Sequence, residues 1–213
     1  MTAMLKPILL SLLALAAGGA LRAAEAFKAL PAPQMTGGKP LMQTLKERQS
    51  IREYKADPLT EQQTSDLLWA AFGMNRPEID HRTAPSAMNT QDIDIYVATA
   101  EGLYLYEAKP HHLKQVGSDD VRGLTSGQPF GKVAPVQLIF VSDYSRMPKV
   151  PLELRDLYAG VDAGAIVQNV YLYCASAGLG SVVHELDRGP LAKAMNLKAD
   201  QHIVLAQTVG YAK

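Results

Sequence analysis

The sequence predicts an α+β domain: a central, mostly antiparallel sheet flanked by helices. Three observations lead there. Stretches of helical period and stretches of alternating polarity are mixed along the chain. They do not follow the regular strand–helix–strand order of a parallel sheet. Ile93, Ile95 and Val97 alternate with polar residues, and Leu103 to Tyr106 follows across a Glu101-Gly102 turn, which is a hairpin signal.

The elements can be justified in order. Met1 to Lys6 carries one positive charge, Pro7 to Leu21 is apolar, and Ala24-Glu25-Ala26 places small residues at a peptidase site. The apolar run, at about 15 residues, is short of the roughly 20 needed to span a bilayer. Residues 1–26 therefore read as a secretory signal, and residues 27–40, with three prolines and Gly37-Gly38, as a linker or extended arm. The domain proper is expected over 41–213. Leu41 to Lys46 reads as a short helix, and Asp57-Pro58 as a turn. Thr60-Glu61-Gln62-Gln63 is a capping box that opens a helix with its apolar stripe at Leu67, Leu68, Ala71 and Phe72. Gly73 is expected to end that helix in a left-handed turn. Asn75 to Thr90 reads as an irregular loop, long enough to be functional. Asp119 to Gln128 reads as a short helix or loop, and Val136 to Val141 as a buried strand. A long helix is expected from about Ala159 to Ala177, with Ala163, Ile166, Val167, Val170, Cys174 and Ala177 on one stripe. Ala159, Gly160, Ala163, Gly164 and Ala165 leave room for a second helix to pack closely. Ile203 to Val209 is the last strand.

The totals exclude several classes. With 213 residues and 47% hydrophobic content, the chain fits one domain with a sizeable core. Its 21 basic and 21 acidic residues argue against nucleic acid as a partner. The lone Cys174 cannot form an internal disulfide, and the five histidines show no metal-ligand spacing.

Three stretches offer binding chemistry. Arg48, Ser50 and Arg52 lie on chain expected to be extended, where positions two apart face the same way. Guanidinium groups suit phosphate or carbonyl edges through paired charge-assisted hydrogen bonds. Pro85, Ser86, Asn89 and Gln91 put short polar groups on a proline-led turn. Gly178 and Gly180 let a backbone approach a flat ring, having no Cβ to collide with it. Each alone is ordinary loop chemistry.

Together, and in this order, they resemble the nitroreductase superfamily over about Leu41 to Tyr211. The carrying motifs are Arg48-x-Ser50-x-Arg52, then Pro85-Ser86-x-x-Asn89-x-Gln91. After them come Asp162, Gly164, Gln168 and Asn169 on the long helix, Gly178-Leu179-Gly180, and the terminal strand with Gly210-Tyr211. Phe72 to Pro77, Thr83 to Ala87 and Gly102 to Tyr106 look closest to the branch containing azoline-oxidising peptide dehydrogenases.

The resemblance implies an FMN-dependent homodimer with the flavin between subunits. Arg48 and Ser50 would hold the phosphate, and Arg52 would face the ribityl chain and the pyrimidine edge. Pro85, Ser86, Asn89 and Gln91 belong to the loop that the partner would supply. Gly178 and Gly180 would flank the ring, and Lys213 is the residue placed to act as the family's C-terminal phosphate-binding cation. No protein side chain is assigned a catalytic role and no metal is expected.

The implied activity is a two-electron, ping-pong oxidoreductase acting on a small organic substrate: a nitroaromatic, a quinone or an azoline-like ring. NAD(P)H would bind transiently as donor, because Gly178-Leu179-Gly180 follows a helix and is no Rossmann fingerprint. The leader implies an exported protein, periplasmic or secreted, not inserted in the membrane once the signal is cut. A quinone or another flavoprotein is then the alternative donor. The competing readings are a non-enzymatic flavin-binding or electron-relay protein acting with a protein partner, and an interaction protein that lacks the cofactor.

Overall fold

A computed structural model describes residues 26–213. The expected leader, except Ala26, lies outside the described residues.

One sheet contains seven strands: β1 (Phe27–Ala29), β4 (Ile93–Thr99), β5 (Gly102–Glu107), β6 (His112–Gly117), β7 (Val136–Asp143), β8 (Gly180–His184) and β9 (Gln201–Gly210). They lie side by side in the order β1-β6-β5-β4-β7-β9-β8. Every pairing is antiparallel. A separate small hairpin joins β2 (Met74–Arg76) to β3 (His81–Arg82). The helices are α1 (Leu41–Glu47), α2 (Glu61–Phe72), α3 (Phe130–Val133), α4 (Leu152–Ala177) and α5 (Arg188–Ala194). The α+β expectation holds.

Alternation along the strands explains why both faces of the sheet are dry. Ile93, Ile95 and Val97 of β4, with Leu138 and Phe140 of β7, pack on one face with α2 and α4. Tyr96 and Ala98, with Ile139 and Val141, point the other way into a second core that Leu191 of α5 joins. Of the stripe expected on α4, Ala163, Ile166, Val167, Val170 and Cys174 are buried, while Ala177 is exposed. Burial pushes the Cys174 thiol up to about 12, so it stays protonated.

Several expectations need correction. α4 begins at Leu152, seven residues before the expected start, and runs for 26 residues. Its first turns are exposed rather than buried at Leu152 and Leu157, so no apolar stripe marked them. The arm is partly a strand, since Lys28 of β1 pairs with Leu113. The loop after α2 is not wholly irregular, because it contains the β2–β3 hairpin. Strands β6 and β8 and helix α5 had no prediction. The adjacent His111 and His112 rings face different partners. The His111 ring sits between Ser65 Oγ (2.7 Å) and Tyr106 Oη (2.9 Å), and His112 Nε2 pairs with Glu107 Oε2 (2.5 Å).

Gly73 ends α2 for a different reason from the one expected. Its φ of −73° is open to any residue, so no left-handed turn is involved. A Cβ there would stand 2.5 Å from Trp69 Cδ1 and 2.7 Å from Trp69 Cα, and only glycine fits against the helix end. At the other end the capping box forms as expected: Thr60 Oγ1 accepts from Gln63 N–H (3.1 Å), and Gln63 Oε1 accepts from Thr60 N–H (3.0 Å). Thr60→Ala should cost about 1 kcal/mol of stability, the usual worth of such a cap. Urea unfolding checks this as a lower midpoint with an unchanged slope.

Candidate functional site

The chain between α1 and Tyr54 is extended and docks along β8. Ile51 N–H donates to the Ser181 carbonyl (3.0 Å), and Ser50 and Ser181 form a parallel bridge. Gly180 permits this contact. A Cβ on it would lie 2.9 Å from Ile51 Cγ2 and 3.3 Å from Tyr54 Cε1. Its missing side chain thus accommodates the Arg48–Tyr54 segment. Gly178, by contrast, is the left-handed residue that closes α4, at φ 72°, with nothing within 4 Å of where a Cβ would be. The end of the chain lies beside the same segment: Lys213 N–H donates to the Glu53 carbonyl (3.2 Å), and Lys55 N–H to the Tyr211 carbonyl (2.9 Å).

Behind this segment is a cavity of about 550 Å³, lined by Lys46, Arg48, Tyr171, Gly178, Leu179 and Ser181 among others. Its size falls within the roughly 300–1,000 Å³ usual for small-molecule sites. The Tyr171 hydroxyl organises the polar wall. It accepts from Val183 N–H (2.8 Å) and lies 3.2 Å from Ser50 Oγ. When its one proton goes to Ser50 Oγ, the serine keeps its own hydrogen for a ligand. The Arg48 guanidinium lies 5.2 Å over the Tyr171 ring. Among the described residues it has no hydrogen-bond or ion-pair partner, so its planar N–H array remains available to an anion. Arg52 is exposed, just outside this wall. Deeper in, Gln207 Nε2 donates to Ser181 Oγ (2.9 Å) and the Val167 carbonyl (3.3 Å), tying the back wall to α4.

The second predicted stretch is elsewhere. The Ala87 N–H donates to both carboxyl oxygens of Asp162 (3.0 Å each), so the Pro85–Gln91 loop is attached to α4 at Asp162. Tyr171, nine residues later, is about 13–14 Å farther along the helix and half a turn round it. A single chain therefore holds Arg48 and Ser50 on one flank of α4 and the Pro85–Gln91 loop on the opposite flank. They do not meet. Pro85 and Asn89 are exposed. Gln91 faces inward: its Oε1 accepts from Arg82 Nε (2.6 Å), and its Nε2 donates to the Asp80 carbonyl (2.5 Å) and Asn89 Oδ1 (3.3 Å). It shapes the loop. Ser86 Oγ accepts from Gln91 N–H (2.9 Å). Three non-glycine residues here have positive φ: Met88 at 51°, Asn89 at 54° and Gln91 at 48°. Such strain persists only where the surroundings over-determine it, and it concentrates at binding and switch sites.

The outward strip of α4 between these flanks is uncovered. Leu157 and Val161 are 58% and 59% exposed. Nothing lies within 4 Å of where a Cβ would stand on Gly160 or Gly164.

Tyr171 and the partnership of Asp162 with Asp92 were missed by sequence reading. Tyr171 was within reach, lying four residues after Val167 on the apolar stripe. Nothing in the sequence linked Asp162 to Asp92, 70 positions away.

A family model described as "Nitroreductase family" matches residues 45–211. A nitroreductase candidate of Methanocaldococcus jannaschii is 34% identical over 152 residues, 67% of this chain and 76% of its own. The crystal structure of a nitroreductase candidate from Ralstonia eutropha superposes with a TM-score of 0.84 at 45% identity, covering 88% of this chain and 90% of that one. An NADPH:FMN oxidoreductase of Vibrio harveyi, solved with NAD+, shares the fold at 19% identity and a TM-score of 0.59, over 81% of this chain and 69% of that one.

Tyr171→Phe should destabilise the protein by about 1–3 kcal/mol, because it strands the Val183 N–H without an acceptor. Chemical denaturation measures the loss. An unchanged midpoint would show that the hydroxyl does not hold the wall together.

Proposed function

This chain belongs to the nitroreductase family and is an oxidoreductase by that membership; from that premise we propose that it is an exported, FMN-dependent enzyme that works as a homodimer. The single observation that carries the cofactor reading is the unpaired Arg48 guanidinium at the wall of a cavity beside the Ser50 hydroxyl. This donor set fits a phosphate: the Arg48 guanidinium and the Lys46 ammonium line the cavity, and the Ser50 hydroxyl beside them can donate its hydrogen when Tyr171 donates to it. FMN, when bound, supplies reversible two-electron transfer by hydride.

The chain's own residues bind, orient and exclude water. Arg48 and Ser50 would hold the phosphate, with Arg52 and Lys213 supplying further positive charge from the adjoining strand and the chain end. Gly178, with open space where a Cβ would stand, would bring the end of α4 to the ring side without side-chain bulk, whereas the space beside Gly180 is taken by Ile51 and Tyr54. Ser86 and Asn89 cannot reach this cavity in one chain, being on the other flank of α4. A second copy brought against the exposed Leu157–Gly164 strip supplies them, which is what supports the dimer. Positive charge near the pyrimidine edge, from Arg52, would favour electron uptake.

The substrate class in this reading is a small planar acceptor or donor: a nitroaromatic, a quinone or an azoline-like ring. NAD(P)H is the first donor to test. The leader in residues 1–26 supports export.

Purified protein should be yellow, bleach with a reductant and regain colour with an acceptor. Arg48→Ala should weaken FMN binding about tenfold to a hundredfold, the worth of one charge-assisted contact. Mixing Arg48→Ala chains with Asn89→Ala chains should restore about a quarter of the sites after random exchange, because one site of each mixed two-fold dimer escapes both defects. No recovery despite demonstrated exchange would remove the shared-site reading. A colourless protein that cannot be reconstituted with FMN would remove the cofactor.

A further inference from the structure

Beneath the Pro85–Gln91 loop are two carboxyl groups that neither a binding wall nor an ion pair explains. Asp92 is 0% exposed and Asp162 is 3% exposed. Asp92 accepts from Ser142 Oγ at Oδ2 (2.6 Å) and from Thr90 Oγ1 at Oδ1 (3.0 Å). Asp162 accepts the Ala87 N–H at both carboxyl oxygens, and Asp92 is the neighbouring carboxyl that, after burial, raises it. Two neighbouring buried carboxylates repel when both are ionised, which favours one proton shared by the pair. Both Asp92 oxygens already accept from hydroxyls, which leaves Asp162 as the donor across the pair.

The loop above needs such a hold. Met88, Asn89 and Gln91 all sit in the left-handed region, and for Met and Gln that conformation is unfavourable on its own. Arg82 and Arg146 hold the Gln91 end, Arg146 Nη1 donating to the Gln91 carbonyl (2.9 Å). The Ser86–Asn89 end depends on Ala87 N–H and Asp162. Asp162 and Asn89 therefore sit on opposite sides of one short strained turn, one buried and one exposed.

We propose that Asp162 is a positioning residue for the flavin site: sharing one proton with Asp92, it holds the Ala87 N–H and so fixes the exposed Ser86–Asn89 turn in the shape the neighbouring subunit's flavin meets. This rests on the reading of the loop as the partner-supplied side of the FMN site. The position acts without touching cofactor.

The pair makes the hold depend on pH. Burial first, and then Asp92, raise the Asp162 carboxyl from its ordinary value to about 7, against the opposing pull of the Ala87 N–H. The latched form therefore binds a proton that the unlatched form releases at ordinary carboxyl pH. Its relative stability falls as pH rises from that range, and the loss is complete once pH has passed through about 7. Other ionisable groups surround the pair. Asp143 ends β7 and Tyr144 follows it, Arg146 pairs with Asp94 of β4 (2.7 Å), and Tyr144 Oη is hydrogen-bonded to Asp156 of α4. None of their side chains forms a hydrogen bond or ion pair with Asp92 or Asp162 among the described residues, so none neutralises the second charge.

The test compares wild type, Asp162→Asn and Asp162→Ala in the whole chain between pH 6 and 8.5. Two quantities are read: the Ala87 amide protection factor without flavin, and the FMN dissociation constant by fluorescence quenching. Asparagine keeps an acceptor for Ala87 N–H and a donor to Asp92 but does not titrate. In wild type both protection and affinity should fall about tenfold between pH 6 and 8.5, most of it below pH 7, following loss of the shared proton. Asp162→Asn should hold both near their pH 6 level throughout. Asp162→Ala should be low at every pH, and if it does not fold, wild type against Asp162→Asn still decides. An Asp162→Asn protein with the wild-type pH slope overturns the proposal. So does FMN binding that follows pH while Ala87 protection ignores Asp162. If Ala87 protection follows the pattern but FMN binds at no pH, the flavin assignment fails and the pair is left as a structural latch.

Discussion

Both flanks of the candidate site depend on the burial of one face of α4 against the sheet. Ala163, Ile166, Val167, Val170 and Cys174 are all buried there. Burying a side chain of the valine or isoleucine class is worth roughly 1.5–3 kcal/mol, so this face fixes the helix firmly in rotation and height. Fixing those two quantities also fixes the flanks. Tyr171 on one side carries the Arg48–Ser50 chain, and Asp162 on the other carries the Ser86–Asn89 turn. The apolar core and the polar site are thus built as one, and a rotation of α4 would move both walls at once.

The same geometry is what supports the proposed pairing of two copies. A helix that presents binding loops on opposite flanks cannot bring them to one ligand by bending. A two-fold axis beside its outward strip can, because it sets the left flank of one copy against the right flank of the other. In the proposed pair, Gly160 and Gly164 would permit close approach and so set how far apart the two walls stand.

Features set by period and by local chemistry were legible in the sequence. The capping box at Thr60, the alternation of β4 and the stripe on α4 all depend on neighbours within a few residues, and they formed as read. Features set by distant partners were hidden. Strand β8 is short, begins with Gly180-Ser181 and looks like the tail of a turn. It is a strand because β9 and Ile51 pair with it. Gly73 reads as a left-handed turn and Gly180 as room for a flat ring, but the neighbours that require glycine there are Trp69 and Ile51. For the site, the Arg48-x-Ser50 spacing was legible because extended chain aligns alternate side chains. The fate of Gln91 was not: an amide on a proline-led turn looks outward until Arg82 and Asp80 are known to enclose it.

The docking of the Arg48–Tyr54 segment on β8 has one more consequence. A sheet of seven strands has two edges, and exposed edges template association between chains. One edge, β1, is three residues long and carries Lys28. At the other, the Ser181 carbonyl of β8 is occupied by Ile51 N–H, and Tyr54 is packed against Gly180 and Gly210. The segment that presents Arg48 and Ser50 therefore also guards the rim of the sheet. Changes that loosen it would uncover an unpaired strand as well as the candidate binding wall, so solubility and the proposed ligand recognition would be coupled at this stretch of chain.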